Sequence, residues 1–119
     1  MKILVVEDSL LYRKTIVKYL REHLPEAEFI TAGDGEEGYA LFQQESPDFV
    51  VLDLLMPKMN GIQLLTQVKK DKPETRAAVI SADIQKLTRD EVERLGVVKF
   101  YNKPFSREQA AELASLIQG

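Results

Sequence analysis

Phe49-Val50-Val51-Leu52-Asp53 sets four consecutive apolar residues against a closing carboxylate. The run is too short for a helix and does not alternate apolar with polar. Both of its faces must therefore be covered, as in the interior of a parallel sheet. Four other apolar runs stand at roughly even spacing, at residues 3–6, 29–32, 77–80 and 97–101. The segments between them have the length and period of helices. In residues 9–23, Leu10, Ile16, Val17 and Leu20 can share a stripe, with Arg13, Lys14, Lys18 and Arg21 mostly on the other side. Residues 36–44 carry Tyr39, Ala40 and Leu41, and residues 61–70 carry Ile62, Leu65 and Val68. Thr88-x-x-Glu91 reads as a capping box, with Gly96 placed to close that helix in a left-handed conformation. Ser106 is the expected cap of a last helix over 106–118, with Ala110, Leu113, Leu116 and Ile117 facing inward. Strand and helix alternate five times, which specifies an α/β domain whose parallel sheet is covered on both sides. No repeat, low-complexity tract or linker interrupts the pattern, so residues 1–119 are expected to form one domain.

Composition removes several chemistries. The absence of cysteine excludes disulfides, thiolate nucleophiles and Cys-ligated metals, and the lone His23 leaves no histidine metal site. Sixteen basic and nineteen acidic side chains give a net charge of −3, which argues against direct binding of nucleic acid or anionic membrane. The longest apolar runs fall far short of a membrane span, and Met1-Lys2 leads into a strand rather than a signal peptide. The expected compartment is the cytoplasm, without membrane insertion.

In an open parallel sheet, ligands sit beyond the carboxyl ends of the strands. Glu7 and Asp8 follow the first run, Asp53 the third, Ser81 the fourth, and Asn102-Lys103-Pro104 the fifth. Each has an ordinary structural explanation when taken alone. Asp8 can cap a helix, Asp53 can close a strand, and Lys103 can be a solvated charge. Together they bring three carboxylates, a hydroxyl and an ammonium to one edge. Clustered carboxylates repel unless a cation intervenes, and an all-oxygen set suits Mg²⁺. An aspartate can itself be the nucleophile that accepts a phosphoryl group, and phosphoryl transfer asks mainly for positioning and charge neutralisation.

With these residues in place, the chain resembles the CheY-like receiver domains of two-component response regulators over essentially its whole length. The matching stretches are Ile3-Leu4-Val5-Val6-Glu7-Asp8-Ser9, the Asp53-x-x-Met56-Pro57-x-Met59-x-Gly61 run, Val79-Ile80-Ser81-Ala82 and Lys103-Pro104-Phe105. The resemblance implies a flavodoxin-like, doubly wound (βα)5 fold with five parallel strands in the order 2-1-3-4-5. It makes Asp53 the phosphoacceptor, served by a histidine kinase or a phosphotransfer protein. Mg²⁺, which Mn²⁺ can replace, would be held by Asp8 directly, Glu7 through water, Asp53 and the backbone carbonyl of Leu55. Ser81 takes the switch hydroxyl position, and Lys103 is the lysine that contacts the phosphoryl group, with Lys103-Pro104 a cis peptide.

Phe100, three before that lysine, takes the position of the switch aromatic, where a tyrosine is commoner. A phenyl ring there predicts a switch that works by packing alone. Tyr101 is expected on the opposite face of the strand. Leu55 would shield an acyl phosphate from water, whereas Asp83 could hold a water or interact with Lys58. The resemblance also implies that Leu10, Leu11 and Lys58 lie where kinases usually dock. By the same resemblance, Arg89, Glu93, Lys99, Arg107, Glu108 and Glu112 would lie on the usual output face, toward a target protein, a missing effector domain or a phosphorylation-dependent homodimer. His23 is expected at the surface, and Met56 and Met59 in loop packing.

The resemblance implies a signalling switch that catalyses its own phosphorylation and dephosphorylation, not a conventional enzyme. Three competing readings are weaker. A receiver-like module that never turns over phosphate would have lost part of the set kept here. A haloacid-dehalogenase phosphatase needs a second acid where Leu55 stands. In a flavodoxin, Glu7-Asp8 would repel the flavin phosphate.

Overall fold

The computed structural model describes residues 1–82 and 85–119, with residues 86 and 87 by their backbone. Along the chain run β1 (Lys2–Val6), α1 (Leu10–Arg21), β2 (Glu28–Ala32), α2 (Gly35–Glu45) and β3 (Phe49–Leu52). They continue as α3 (Gly61–Asp71), β4 (Arg76–Ser81), α4 (Lys86–Arg94), β5 (Lys99–Asn102) and α5 (Arg107–Gln118). A helix follows each strand and returns the chain across the sheet, so every pairing is parallel. The strand order is β2-β1-β3-β4-β5, as the resemblance implied.

Alternation within each strand divides the core in two. Ile3, Val5, Phe49, Val51, Ala78, Ile80 and Tyr101 pack with Ile16 and Leu20 of α1 and with Ala110, Leu113, Ala114 and Ile117 of α5. The intervening residues Leu4, Val6, Val50, Leu52, Ala77, Val79 and Phe100 pack with Phe42, Leu64, Leu65, Val68 and Val92 of α2, α3 and α4. Phe100 and Tyr101 accordingly lie on opposite faces. His23 is exposed, and Met56 and Met59 pack against the second core cluster.

Several helix details depart from expectation. Leu10 is 56% exposed, whereas Ile16 and Leu20 are buried and Val17 packs against the first core cluster. The cap of α1 is Ser9, whose Oγ accepts the Tyr12 N–H at 3.3 Å, and Asp8 is left exposed. In α2 the buried stripe is Gly35, Gly38 and Phe42. A Cβ at Gly38 would lie 2.9 Å from a Val6 methyl. That close approach rotates Ala40 outward. Thr88 lies inside α4, because the first helical bond runs from the Arg89 N–H to the Gln85 carbonyl at 3.0 Å. Leu116 is half-buried and Ala114 takes the inward position in α5. Gly96 closes α4 at φ +82°, and Ser106 with Gln109 forms the capping box of α5.

Candidate functional site

The parallel ladder extends one residue beyond three strands. The Glu7 N–H donates to the Ala32 carbonyl at 3.1 Å, the Asp53 N–H to Val6 at 3.1 Å, and the Lys103 N–H to Ser81 at 2.9 Å. The first residues past β1, β3 and β5 are therefore held as firmly as strand residues. Oxygen atoms of Glu7, Asp8 and Asp53 come within 4.8 Å of one another. Glu7 is 1% exposed, Asp53 4% and Ser81 fully buried, whereas Asp8 opens to solvent.

Lys103 bridges the two buried acids. Its Nζ donates to Asp53 Oδ2 at 2.9 Å and also to Glu7 Oε1. The other Asp53 oxygen, Oδ1, accepts the Leu55 N–H at 3.2 Å, which aims the carboxylate. Burial pushes the Glu7 carboxyl up to about 7, the Asp53 charge and a hydrogen bond with Asp8 push the same way, and Lys103 opposes them. Burial alone would lower the Lys103 ammonium, but its bonds to Glu7 and Asp53 outweigh that and hold it above its ordinary value. Two buried acids thus share a single ammonium, and the exposed Asp8 adds a third carboxylate beside them. The excess negative charge and the hard oxygen donors fit a divalent cation.

Glycine controls the loop after Asp53. A Cβ at Gly61 would run into the Asp53 carbonyl oxygen and the Leu54 Cα, and one at Gly35 into the Met59 carbonyl. The start of α2 thereby abuts the β3–α3 loop. Lys58, at φ +66°, adds an ion pair with Asp34 at 3.6 Å. Lys58 is exposed, and Asp83, the other partner expected for it, lies outside the described residues.

The structure brings together Glu7, Asp8, Asp53 and Lys103, with Ser81 ending the adjacent strand. The Lys103–Pro104 bond is cis. Leu55 stands two residues beyond Asp53 and is 55% exposed. Phe100 packs in the second core cluster, 8% exposed, with the Arg89 guanidinium 5.2 Å from its ring centroid. Two residues of α1 join the site unforeseen. Arg13 donates to the Glu7 carbonyl at 2.8 Å instead of facing outward, and Tyr12 places its ring 4.2 Å from Lys103 Nζ. Their signal was positional: the first turn after an acidic pair at a strand end faces the same edge as the acids.

Among the described residues, no helix is long and apolar enough to cross a membrane. The family model described as the response regulator receiver domain matches residues 3–115. The protein named "Probable C4-dicarboxylate response regulator DctR" of Bacillus subtilis is 35% identical over 108 residues, covering 91% of this chain and 48% of that protein. The chain thus spans about half the length of that relative. Protein CcdB of Bacillus subtilis is 34% identical over 121 residues, covering 99% of this chain and 98% of CcdB. The N-terminal domain of an uncharacterized protein from Wolinella succinogenes superposes with a TM-score of 0.90 at 33% identity, over 99% of this chain and 94% of that one. From strand order to acidic edge to family match, the chain belongs to the response regulator receiver domains, whose general function is phosphorylation chemistry in two-component signalling.

Proposed function

We propose that Asp53 accepts a phosphoryl group from the phosphohistidine of a histidine kinase or phosphotransfer protein. The observation that carries this reading is the geometry of the Asp53 carboxylate. It is buried at the end of β3, within 4.8 Å of Glu7 and Asp8 oxygens, with Lys103 Nζ 2.9 Å from Oδ2. An Asp53 oxygen attacks phosphorus as the donor P–N bond breaks, and the electron pair leaves with the imidazole. The product is an acyl phosphate on Asp53. The Leu55 N–H and Lys103 hold the carboxylate for in-line approach, and Lys103 faces the negative charge that arrives with the phosphoryl group.

The donor set suits Mg²⁺, or Mn²⁺ in its place. Asp8 and Asp53 would bind it directly, Glu7 through water, and Leu55 through its carbonyl. When bound, the ion neutralises the acids and the phosphoryl oxygens. Ser81 and Phe100 form the switch: the hydroxyl turns toward the phosphoryl group and the phenyl ring repacks. The chain acts as one receiver domain, a cytoplasmic signalling switch and not a conventional enzyme. The α4–β5–α5 surface addresses a target protein, an effector domain or a second copy.

Acetyl phosphate tests the metal requirement. Labelling should occur with Mg²⁺ or Mn²⁺, stop with a chelator, and be lost in Asp8→Asn. Equal labelling with and without divalent cation would refute the reading.

A further inference from the structure

Tyr12 stands in the first turn of α1, where the Ser9 cap fixes its backbone at 3.3 Å from the Ser9 Oγ. Its ring centroid lies 4.2 Å from Lys103 Nζ, a close cation–π distance. An ammonium has three donors and no preferred fork geometry. In Lys103 one donor goes to Glu7 and one to Asp53, and the Tyr12 ring covers a further side, leaving the side chain 13% exposed. A long lysine stem has many rotamers open to it, most of which would carry the head to water. The ring opposes this in two ways: it occupies space, and its electron-rich face attracts the cation. Only the second depends on aromaticity.

We propose that Tyr12 is a positioning residue for Lys103, keeping the ammonium directed into the acidic cluster where a phosphoryl group on Asp53 would meet it. The proposal rests on the reading of Asp53 as phosphoacceptor. It assigns no proton transfer to Tyr12, so the hydroxyl is dispensable and the ring face is not. An aliphatic side chain at position 12 would fill the volume and leave the cation to Glu7 and Asp53 alone.

Beryllofluoride, an analogue of the phosphoryl group, separates the arms of the test. Its binding at saturating Mg²⁺ is followed by amide NMR shifts around Asp53 in the full chain, and Mg²⁺ affinity is measured separately without it. Tyr12→Leu should weaken beryllofluoride binding roughly three- to tenfold, in line with one cation–π contact. Tyr12→Phe should bind like the parent, and Mg²⁺ affinity and thermal midpoint should be level across all three. Unchanged beryllofluoride binding in Tyr12→Leu would overturn the proposal. So would a Phe variant as weak as the Leu variant, or a loss shared equally by Mg²⁺ affinity and the thermal midpoint. Failure of the parent chain to bind beryllofluoride would instead refute Asp53 as acceptor.

Discussion

Lys103 and Asp53, fifty residues apart in sequence, meet with Nζ 2.9 Å from Oδ2. The same ammonium touches Glu7, so one cation serves two buried carboxylates. Removing one partner of a buried ion pair leaves an uncompensated charge, which costs far more than the pair itself contributes. Lys103→Met should therefore destabilise the metal-free chain by about 3–5 kcal/mol at neutral pH. Mg²⁺ should restore part of that loss, because a ligand that binds only the folded state adds stability that grows with the logarithm of its concentration once that exceeds Kd. Urea unfolding with and without Mg²⁺ measures both. An unchanged midpoint would show that Lys103 does not neutralise this edge.

Gly61 and Gly33 offer a paired test of how tightly the acceptor loop is built. A Cβ at Gly61 meets the backbone of Asp53 and Leu54, which cannot yield without moving the acceptor. At Gly33 the nearest atom is the Arg13 Nη1, at 3.0 Å, the end of a flexible side chain. Gly61→Ala is expected to lose about 1–3 kcal/mol of stability and most acetyl phosphate labelling. Gly33→Ala should stay close to the parent in both. Equal behaviour of the two variants would contradict the packing described for the β3–α3 loop.

Tyr101 predicts an alkaline limit to stability. Burial, followed by its 2.6 Å hydrogen bond to the Glu112 carboxylate, holds the phenol above its ordinary pKa of about 10. A phenol whose folded pKa is raised contributes fully below its unfolded value, and that contribution is lost as pH climbs above about 10. Tyr101→Phe should cost about 1 kcal/mol between pH 7 and 9. The gap to the parent should shrink above pH ~10. Denaturant midpoints of both proteins across this range provide the check, and a gap independent of pH would remove the hydrogen bond from the account.

Leu55 is 55% exposed, two residues beyond the acceptor. If its role is to keep water from an acyl phosphate, Leu55→Asn should accelerate loss of the phosphoryl group several-fold without altering the unfolding midpoint. An unchanged hydrolysis rate would leave the side chain with no part in lifetime.

The strands were legible because continuous apolar runs leave a helix-length gap between them, and parallel pairing then dictates which end carries chemistry. Glu7, Asp8, Asp53, Ser81 and Lys103 could be placed at that end before any geometry was known. The hydrophobic stripe of α1 does not place Tyr12 and Arg13 there, since it sorts residues by depth in the core, although their position in the first turn after the acidic pair does. Gly38 misled the reading of α2 for a related reason. A glycine marks the line of closest helix–sheet approach, which a count of apolar side chains passes over. Thr88 misled the reading of α4 because a hydroxyl three residues before a glutamate signals a cap only if the backbone ahead of it is not already helical, and here it is.

Locating the phosphoryl group tests the central claim most directly. The chain would be incubated with Mg²⁺ and acetyl phosphate, its intact mass measured, and the modified residue found by peptide fragmentation. The account predicts a single added phosphoryl group on Asp53, absent from Asp53→Asn. No added mass, or a phosphoryl group on any other residue, would contradict it.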